Sequence, residues 1–386
     1  MTTTPPAPEN QGTPSPCAGR LMRYGGPAVL LLVAGWLIWF WHYAHSPAAP
    51  DQHDEIVVTI PPATDFKTIR KILTEAGTIR HGSHFSLLAR LLGVTKQLKA
   101  GDYRLVPGHT PTLILRQLAR GDTVRWPITI PEGYTLAQIA TLLDDKGMVR
   151  ADRFLEKTHD QALIHELGLT VKNLEGYIFP DTFNLSRGMD ESDVIRMMVG
   201  RQKAVLTKLY GLSGEETTNF AELPLIERQG VSLTPHDVLT LASIVERETA
   251  RPEERVQVAA VFLNRLRQGM RLQADPTVIY GLPDFTGILR RDDLRSPTPY
   301  NTYVIPGLPP GPIASPGREA IEAIVLSPDQ LQKKFPDLDW PALDQYLYFV
   351  SQNDRTHYFS KTLDEHNSAV GRYLKKKDEA AAADQP

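Results

Sequence analysis

TIPPATDFKTIRKILTEAGTI, from Thr59 to Ile79, aligns without gaps on TIPEGYTLAQIATLLDDKGMV, from Thr129 to Val149, at an offset of 70 residues. Each copy reads as the end of a strand, a turn, an amphipathic helix and a glycine stop. Val57, Val58 and Ile60, and in the second copy Ile128 and Ile130, are β-branched residues suited to a half-buried strand. Pro61 and Pro131 close those strands, because proline has no N–H to give to a ladder. Phe66, Ile69, Ile72 and Leu73 recur at helical spacing in the first copy, and Leu136, Ile139, Leu142 and Leu143 in the second, so each helix has one apolar face to bury. Gly77 and Gly147 stand where a helix end turns into the left-handed region. Between the copies, LKAGDYRLVPGHTPTLILRQLARGD (Leu98 to Asp122) supplies another strand and another helix, stopped by Gly121. Units this small are too short to enclose a catalytic cleft and suit recognition or spacing. Strands and helices of this kind predict an α+β fold.

On the N-terminal side, Arg20 and Arg23 precede an uncharged stretch from Tyr24 to Pro50, centred on PAVLLLVAGWLIWFWHYA (Pro27 to Ala44). As a helix it is long enough for about 30 Å of hydrocarbon. Trp36, Trp39, Phe40 and Trp41 crowd its outer half like an interfacial belt, and Asp51, Asp54 and Glu55 follow it. The expectation is a single membrane helix at 25–45 with a cytoplasmic N-terminus; a signal peptide cleaved near Ala44-His45-Ser46 is the alternative. The expected organisation is a disordered cytoplasmic tail over 1–24, that helix, a linker over 46–55 and an α/β module over 56–125. A mixed α+β domain over 126–370, opening with the second copy at 129–149, and a frayed tail over 371–386 complete it.

Composition narrows the chemistry. The 386 residues carry 42 Lys+Arg against 45 Asp+Glu, a formal charge of -3, and the one basic run is Lys375-Lys376-Lys377, so no nucleic-acid footprint is present. Cys17 is the single cysteine, which excludes intrachain disulfides and Cys-rich metal clusters. There is no G-x-S-x-G, no P-loop and no H-E-x-x-H. His357, Glu365 and His366 form the one constellation resembling metal ligands, but H-x8-H matches no standard spacing and reads as solvated loop histidines. No metal and no cofactor are expected.

From Val171 onward, Gly/Pro/aromatic clusters such as NLEGYIFPDTF (Asn173 to Phe183), DPTVIYG (Asp275 to Gly281) and YNTY (Tyr300 to Tyr303) sit between long helices, an arrangement that favours binding sites. Thr234-Pro235-His236-Asp237 starts a helix with an N-cap threonine, a first-position proline and an acid three residues on. The helix continues to Ala250, with Val238, Leu241, Ala242 and Val245 as its buried stripe and Glu246 and Glu248 on opposite flanks. Glu248 has Arg251 three residues on, whereas Glu246 has no cation at i±3 or i±4. A carboxyl against apolar ground and lacking a cation has a raised pKa, as a general acid near neutrality requires. Spacing alone describes two ordinary helix-edge acids equally well. The next helix, from Pro252-Glu253-Glu254 to a stop at Gly269, carries Asn264 and Arg265, for which a cleft and plain surface remain open alternatives.

LASIVERETA (Leu241 to Ala250), VFLNRLRQGMRLQADPTVIYGL (Val261 to Leu282), YNTYVIPGLPPGPIASPG (Tyr300 to Gly317), LEGYIFPDTF and YLYFV with HYFSKTLDEHN together resemble the endolytic murein transglycosylase, or YceG-like, family. The resemblance covers nearly everything after residue 50. It implies a bacterial inner-membrane protein whose periplasmic part has a LysM-like glycan-binding module over 56–125 and a YceG-like catalytic domain. Its activity would be that of a peptidoglycan lytic transglycosylase, a lyase that cuts nascent glycan strands between N-acetylmuramic acid and N-acetylglucosamine. The muramic C6 hydroxyl replaces water, a 1,6-anhydro end results, and strand elongation stops. One carboxyl then suffices where ordinary glycosidases need two. The resemblance points to Glu246, the first acid of IVERE, with Glu248 in reserve, and to Gln273, Asp275, Tyr300, Asn301, Thr302 and Tyr303 for sugar binding or for positioning the acid. Glycan strands, peptidoglycan synthases and the inner membrane are the partners it implies. A catalytically inactive LysM-like scaffold for synthases is the rival reading.

Overall fold

The computed structural model describes the backbone over residues 16–383 apart from 213–218, 284 and 286, and side chains over 29–373 with 221 also excepted. Residues 1–15 of the expected tail, and the side chains after 373, lie outside the described residues. The chain forms two compact units, 1–124 and 125–386.

The first unit starts with helix α1 (Pro16–His45), followed by β1 (Ile56–Ile60), α2 (Phe66–Glu75), α3 (Gly82–Leu91), β2 (Gly101–Leu105) and α4 (Pro111–Arg120). β1 and β2 pair antiparallel, Ile56 opposite Leu105 and Ile60 opposite Gly101, so two helices lie between two paired strands. Asp65 caps α2 by accepting the Thr68 N–H at 3.1 Å, and Thr110 caps α4 ahead of Pro111. Leu73, Phe85, Tyr103, Leu115 and Leu118 are fully buried, each burial stabilising the unit by about 1.5–3 kcal/mol.

α1 requires a correction. Among the described residues no helix is long and apolar enough to cross a membrane, which overturns the membrane helix at 25–45 and the single-pass inner-membrane placement built on it. The aromatic stretch read as an interfacial belt instead meets protein. Phe40 and Ala44 are buried in the core they share with Val58, Phe85 and Leu115. The Trp39 ring packs edge-on against His84 at 4.6 Å, the Tyr43 hydroxyl donates to the His81 carbonyl at 3.0 Å, and Thr112 donates to the Ala44 carbonyl at 2.8 Å.

The second unit opens on a similar plan with three helices in place of two: β3 (Trp126–Thr129), α5 (Leu136–Asp145), α6 (Ala151–Thr158), α7 (Gln161–Glu166) and β4 (Thr182–Leu185), with β3 and β4 antiparallel. The repeat is therefore longer in space than in sequence. Beyond Val149 the second copy still folds as helices enclosed by a strand pair, although its residues no longer match. Gly77 and Gly147 adopt the left-handed backbone expected of them, at φ +69° and +65°. Helix α8 (Glu191–Leu209) and the hairpin β5 (Ile226–Arg228) and β6 (Val231–Leu233) lead to α9 (Pro235–Glu248) and α10 (Pro252–Arg267). Then come α11 (Asp275–Gly281), α12 (Arg318–Val325), α13 (Pro328–Lys334), α14 (Trp340–Leu343), the antiparallel pair β7 (Tyr348–Ser351) and β8 (His357–Ser360), and α15 (Leu363–Ala383).

α9 differs from the amphipathic helix expected. Every residue from Val238 to Val245 is buried, because α10, α11 and α12 all pack on it. α15 runs through 371–373, where Tyr373 donates to Gln352 Oε1 at 2.7 Å and its carbonyl accepts from Asn353 at 3.0 Å.

Candidate active site

α9 is the spine of the site. The Thr234 hydroxyl oxygen accepts the Asp237 N–H at 3.1 Å while Asp237 Oδ2 accepts the Thr234 N–H at 3.0 Å, a reciprocal cap that fixes where the helix begins. Midway, the Ser243 hydroxyl accepts the Ile313 N–H at 3.0 Å and so moors the Pro-rich loop to the helix. Thr249 is extended (φ −142°, ψ 139°), which makes Glu248 the last helical residue.

The two candidate acids have opposite surroundings. Glu246 is not free of cations: Arg255 Nη2 donates to its Oε1 at 2.8 Å, and the Gly317 N–H donates to its Oε2 at 2.9 Å. Counting along one helix missed this, because Arg255 arrives from α10. Both side chains are about 5% exposed, and Arg255 also reaches Glu319 at 3.3 Å and Glu132 at 3.4 Å. Glu132 belongs to the turn of the second repeat copy, which is locked to the site. The Gly133 N–H donates to the Ser315 carbonyl, the Ser315 N–H to the Tyr134 carbonyl, both at 2.8 Å, and Arg247 to the Gly133 carbonyl at 3.3 Å. Partial burial, and then the Glu246 charge, push the Glu132 carboxyl up.

Glu248 faces a cavity of about 330 Å³ together with Arg265, Gln273, Asp275, Tyr303, Phe349 and His366. Among the described residues nothing hydrogen-bonds or ion-pairs with its carboxyl. Burial, reinforced by the Asp275 charge and opposed by Arg265, raises its pKa to about 8. Asp275 is oriented by the Tyr303 hydroxyl, which donates to Oδ1 at 2.7 Å. Arg265 is pinned by the carbonyls of Leu347 at 2.6 Å and Leu272 at 2.7 Å, with its guanidinium 5.1 Å from the Tyr348 ring centroid, and so belongs to the cleft. His366 stacks on Tyr348 at 5.2 Å, and burial followed by the Arg265 charge lowers its pKa, so the ring is neutral at pH 7. A protonated carboxyl here can donate a proton to a leaving oxygen and then act as a base.

The six predicted sugar-contacting residues separate into three groups. Gln273, Asp275 and Tyr303 line the Glu248 cavity. Gln273 sits at φ +53°, a left-handed conformation held by its N–H donating to the Thr302 carbonyl at 3.2 Å. Asn301 and Thr302 are buried and build the loop instead. Asn301 donates to the Ser296 carbonyl at 2.8 Å and accepts the Tyr303 N–H at 2.9 Å, while the Thr302 hydroxyl oxygen accepts the Ala274 N–H at 2.9 Å. Tyr300 packs edge-on against Tyr280 at 4.8 Å and borders a different, larger cavity.

His357, Glu365 and His366 are employed separately. His357 meets the buried Glu254 at 2.8 Å, and Glu365 accepts the Lys361 N–H at 2.9 Å at the start of α15. Among the described residues no group of three such side chains is placed to hold a metal. Sequence reasoning gave no role to Glu175, the acid of LEGYIF. Its carboxylate accepts the Leu136 N–H at 3.1 Å and the Tyr280 hydroxyl at 3.2 Å, and burial lifts its pKa to about 7. An acid amid Leu174, Tyr177 and Ile178 was the available signal.

The model of the YceG-like family matches residues 58–372. The chain belongs to that family. It is 31% identical over 350 residues to the endolytic murein transglycosylase of Bacillus subtilis (strain 168), covering 86% of this chain and 89% of that protein. With the endolytic murein transglycosylase of Streptococcus pneumoniae serotype 2 it shares 31% identity over 354 residues, 83% of this chain but 59% of the longer relative. The crystal structure of a yceG-like protein from Listeria monocytogenes is 31% identical, with a TM-score of 0.48, over 82% of this chain and 98% of that one.

Proposed function

We propose that Glu248 is the acid and base of a peptidoglycan lytic transglycosylase and that the cavity around it holds the scissile sugar linkage. Family membership and the name shared by the relatives carry the reaction class: the chain is a lytic transglycosylase, a lyase acting on peptidoglycan. The observation that supports Glu248 over Glu246 is its carboxyl facing the cavity unpaired with a pKa of about 8, while Glu246 is tied up by Arg255 and Gly317.

In the first step the protonated Glu248 gives its proton to O4 of the departing N-acetylglucosamine as the bond from the muramic anomeric carbon breaks. Positive charge develops at that carbon, and the Asp275 carboxylate is the nearby anion that favours it. In the second step the Glu248 carboxylate takes the proton of the C6 hydroxyl of the same muramic residue, whose oxygen bonds to the anomeric carbon. The 1,6-anhydro ring closes, no water is consumed, and the acid is regenerated. Gln273 and Tyr303 supply the amide and the aromatic face that suit a sugar. Cutting within a growing strand ends its elongation beside the synthase that makes it, and residues 56–125, with two helices between the paired strands β1 and β2, are the LysM-like glycan-binding module.

Uncrosslinked glycan strands incubated with the full chain and analysed by mass spectrometry test this. The parent yields 1,6-anhydro ends, Glu248→Gln loses at least about a hundredfold in rate, as removal of a general acid does, and Glu246→Gln still cuts. An undiminished rate in Glu248→Gln refutes the assignment; hydrolytic reducing ends refute the lyase reading. Intact strands with the parent protein point to the inactive scaffold.

A further inference from the structure

We propose that the larger cavity, at the opposite end of α9, seats the acidic stem peptide of the same strand while Glu248 works on the sugar linkage. The proposal rests on the transglycosylase reading. The cavity has a volume of about 900 Å³, within the range of ligand sites, and borders Tyr300 where the smaller one borders Tyr303. One loop of four residues therefore forms a wall of both.

Its walls are built in advance. The Tyr177 hydroxyl donates to His236 Nδ1 at 2.7 Å and His236 Nε2 donates to the Pro310 carbonyl at 3.0 Å, so two loops are joined through the first turn of α9 by a chain of hydrogen bonds that also fixes the imidazole tautomer. Beside them Gly176, at φ +77°, approaches Pro312 so closely that a Cβ would overlap the proline ring. A preformed cavity spares a ligand the ordering cost of closing one.

Charge selects the ligand. Among the described residues Lys172 is the one Lys or Arg lining this cavity and no Asp or Glu lines it, whereas in the other the Arg265 charge is matched by Asp275 and the protonated Glu248 carries none. An acidic peptide thus gains no net attraction at the catalytic end and is attracted at the far end, and the rings of Tyr177 and Tyr300 with the proline walls accept its methyl groups. Length agrees. His236 and Glu248 are twelve residues apart on one helix, about 18 Å at 1.5 Å per residue. An extended peptide of four or five residues reaches about 15 Å. Its ether link to the muramic ring supplies the remainder.

The test compares peptide-bearing strands with the same strands stripped by an amidase, each cut by the full chain. The parent prefers peptide-bearing strands by roughly fivefold in kcat/KM, expressed in KM, and Lys172→Glu brings that ratio towards one. Lys172 is exposed, and because the ratio is taken within one preparation, loss of folded protein cancels. A parent ratio of one, or a ratio unmoved by Lys172→Glu, overturns the proposal. If the parent produces no anhydro ends from either strand, the reaction reading fails instead. Calorimetry with a free acidic tetrapeptide of stem composition then decides the cavity alone: binding weakened by Lys172→Glu upholds it, and no binding overturns it.

Discussion

Glu246 and Glu248 lie two residues apart and differ in nearly everything that sets a carboxyl's chemistry. Sequence spacing gave Glu248 a cation and Glu246 none; the folded chain reverses the assignment, because Arg255 comes from a neighbouring helix and Arg251 pairs with Glu253 at 2.6 Å. The pH dependence follows. In the unfolded chain Glu248 ionises near its ordinary pKa of 4.5, and in the folded chain near 8, so the fold favours the protonated form. Stability is therefore lost as pH rises from about 4.5 to about 8, and Glu248→Gln removes that loss. Thermal melting should show the variant's advantage over the parent growing from pH 5 to pH 8. The parent's kcat/KM should fall above about pH 8 as the acid ionises, measurable in a pH–rate profile. Arg255→Met, by contrast, strands a buried Glu246 charge and should cost about 3 kcal/mol in urea unfolding.

At the scale of the element, the repeat was plain in the residues because both copies need the same strand, cap and apolar stripe. What each copy does with its turn was not. Ala63 in the first copy and Gly133 in the second occupy equivalent positions, and both are left-handed, at φ +57° and +73°. Glycine adopts that conformation freely and alanine at a cost, so Ala63→Gly should raise the stability of the first unit by about 0.5 kcal/mol, read as a shift of its urea midpoint. The turn at Gly133 is held by Ser315 and Arg247, contacts more than a hundred residues away in sequence that no local pattern encodes. α9 teaches the same lesson. Its capping box was readable from Thr234 to Asp237, but its complete burial from Val238 to Val245 was not, since three later helices supply it.

Over the whole molecule, two units with separate cores predict two melting events. Leu115→Ala, at a fully buried site of the first unit, should lower one calorimetric transition by the equivalent of about 3 kcal/mol and leave the other in place; a single transition that moves as one would contradict this. The apolar stretch before residue 46 shows how far composition carries: it predicts a helix, which forms, but the burial of Phe40 and Ala44 depends on α3, α4 and the strands they meet. By itself the sequence determined the α+β class, the repeat, the helix starts and stops, and the family, because these depend on residues a few positions apart or on long ordered motifs. Which glutamate stands free, which polar residues of the YNTY loop face a cavity and which hold the loop together, and where Arg255 and Arg265 go were decided only in three dimensions. Solvation and charge depend on neighbours brought by distant segments, and distance along the chain says little about them.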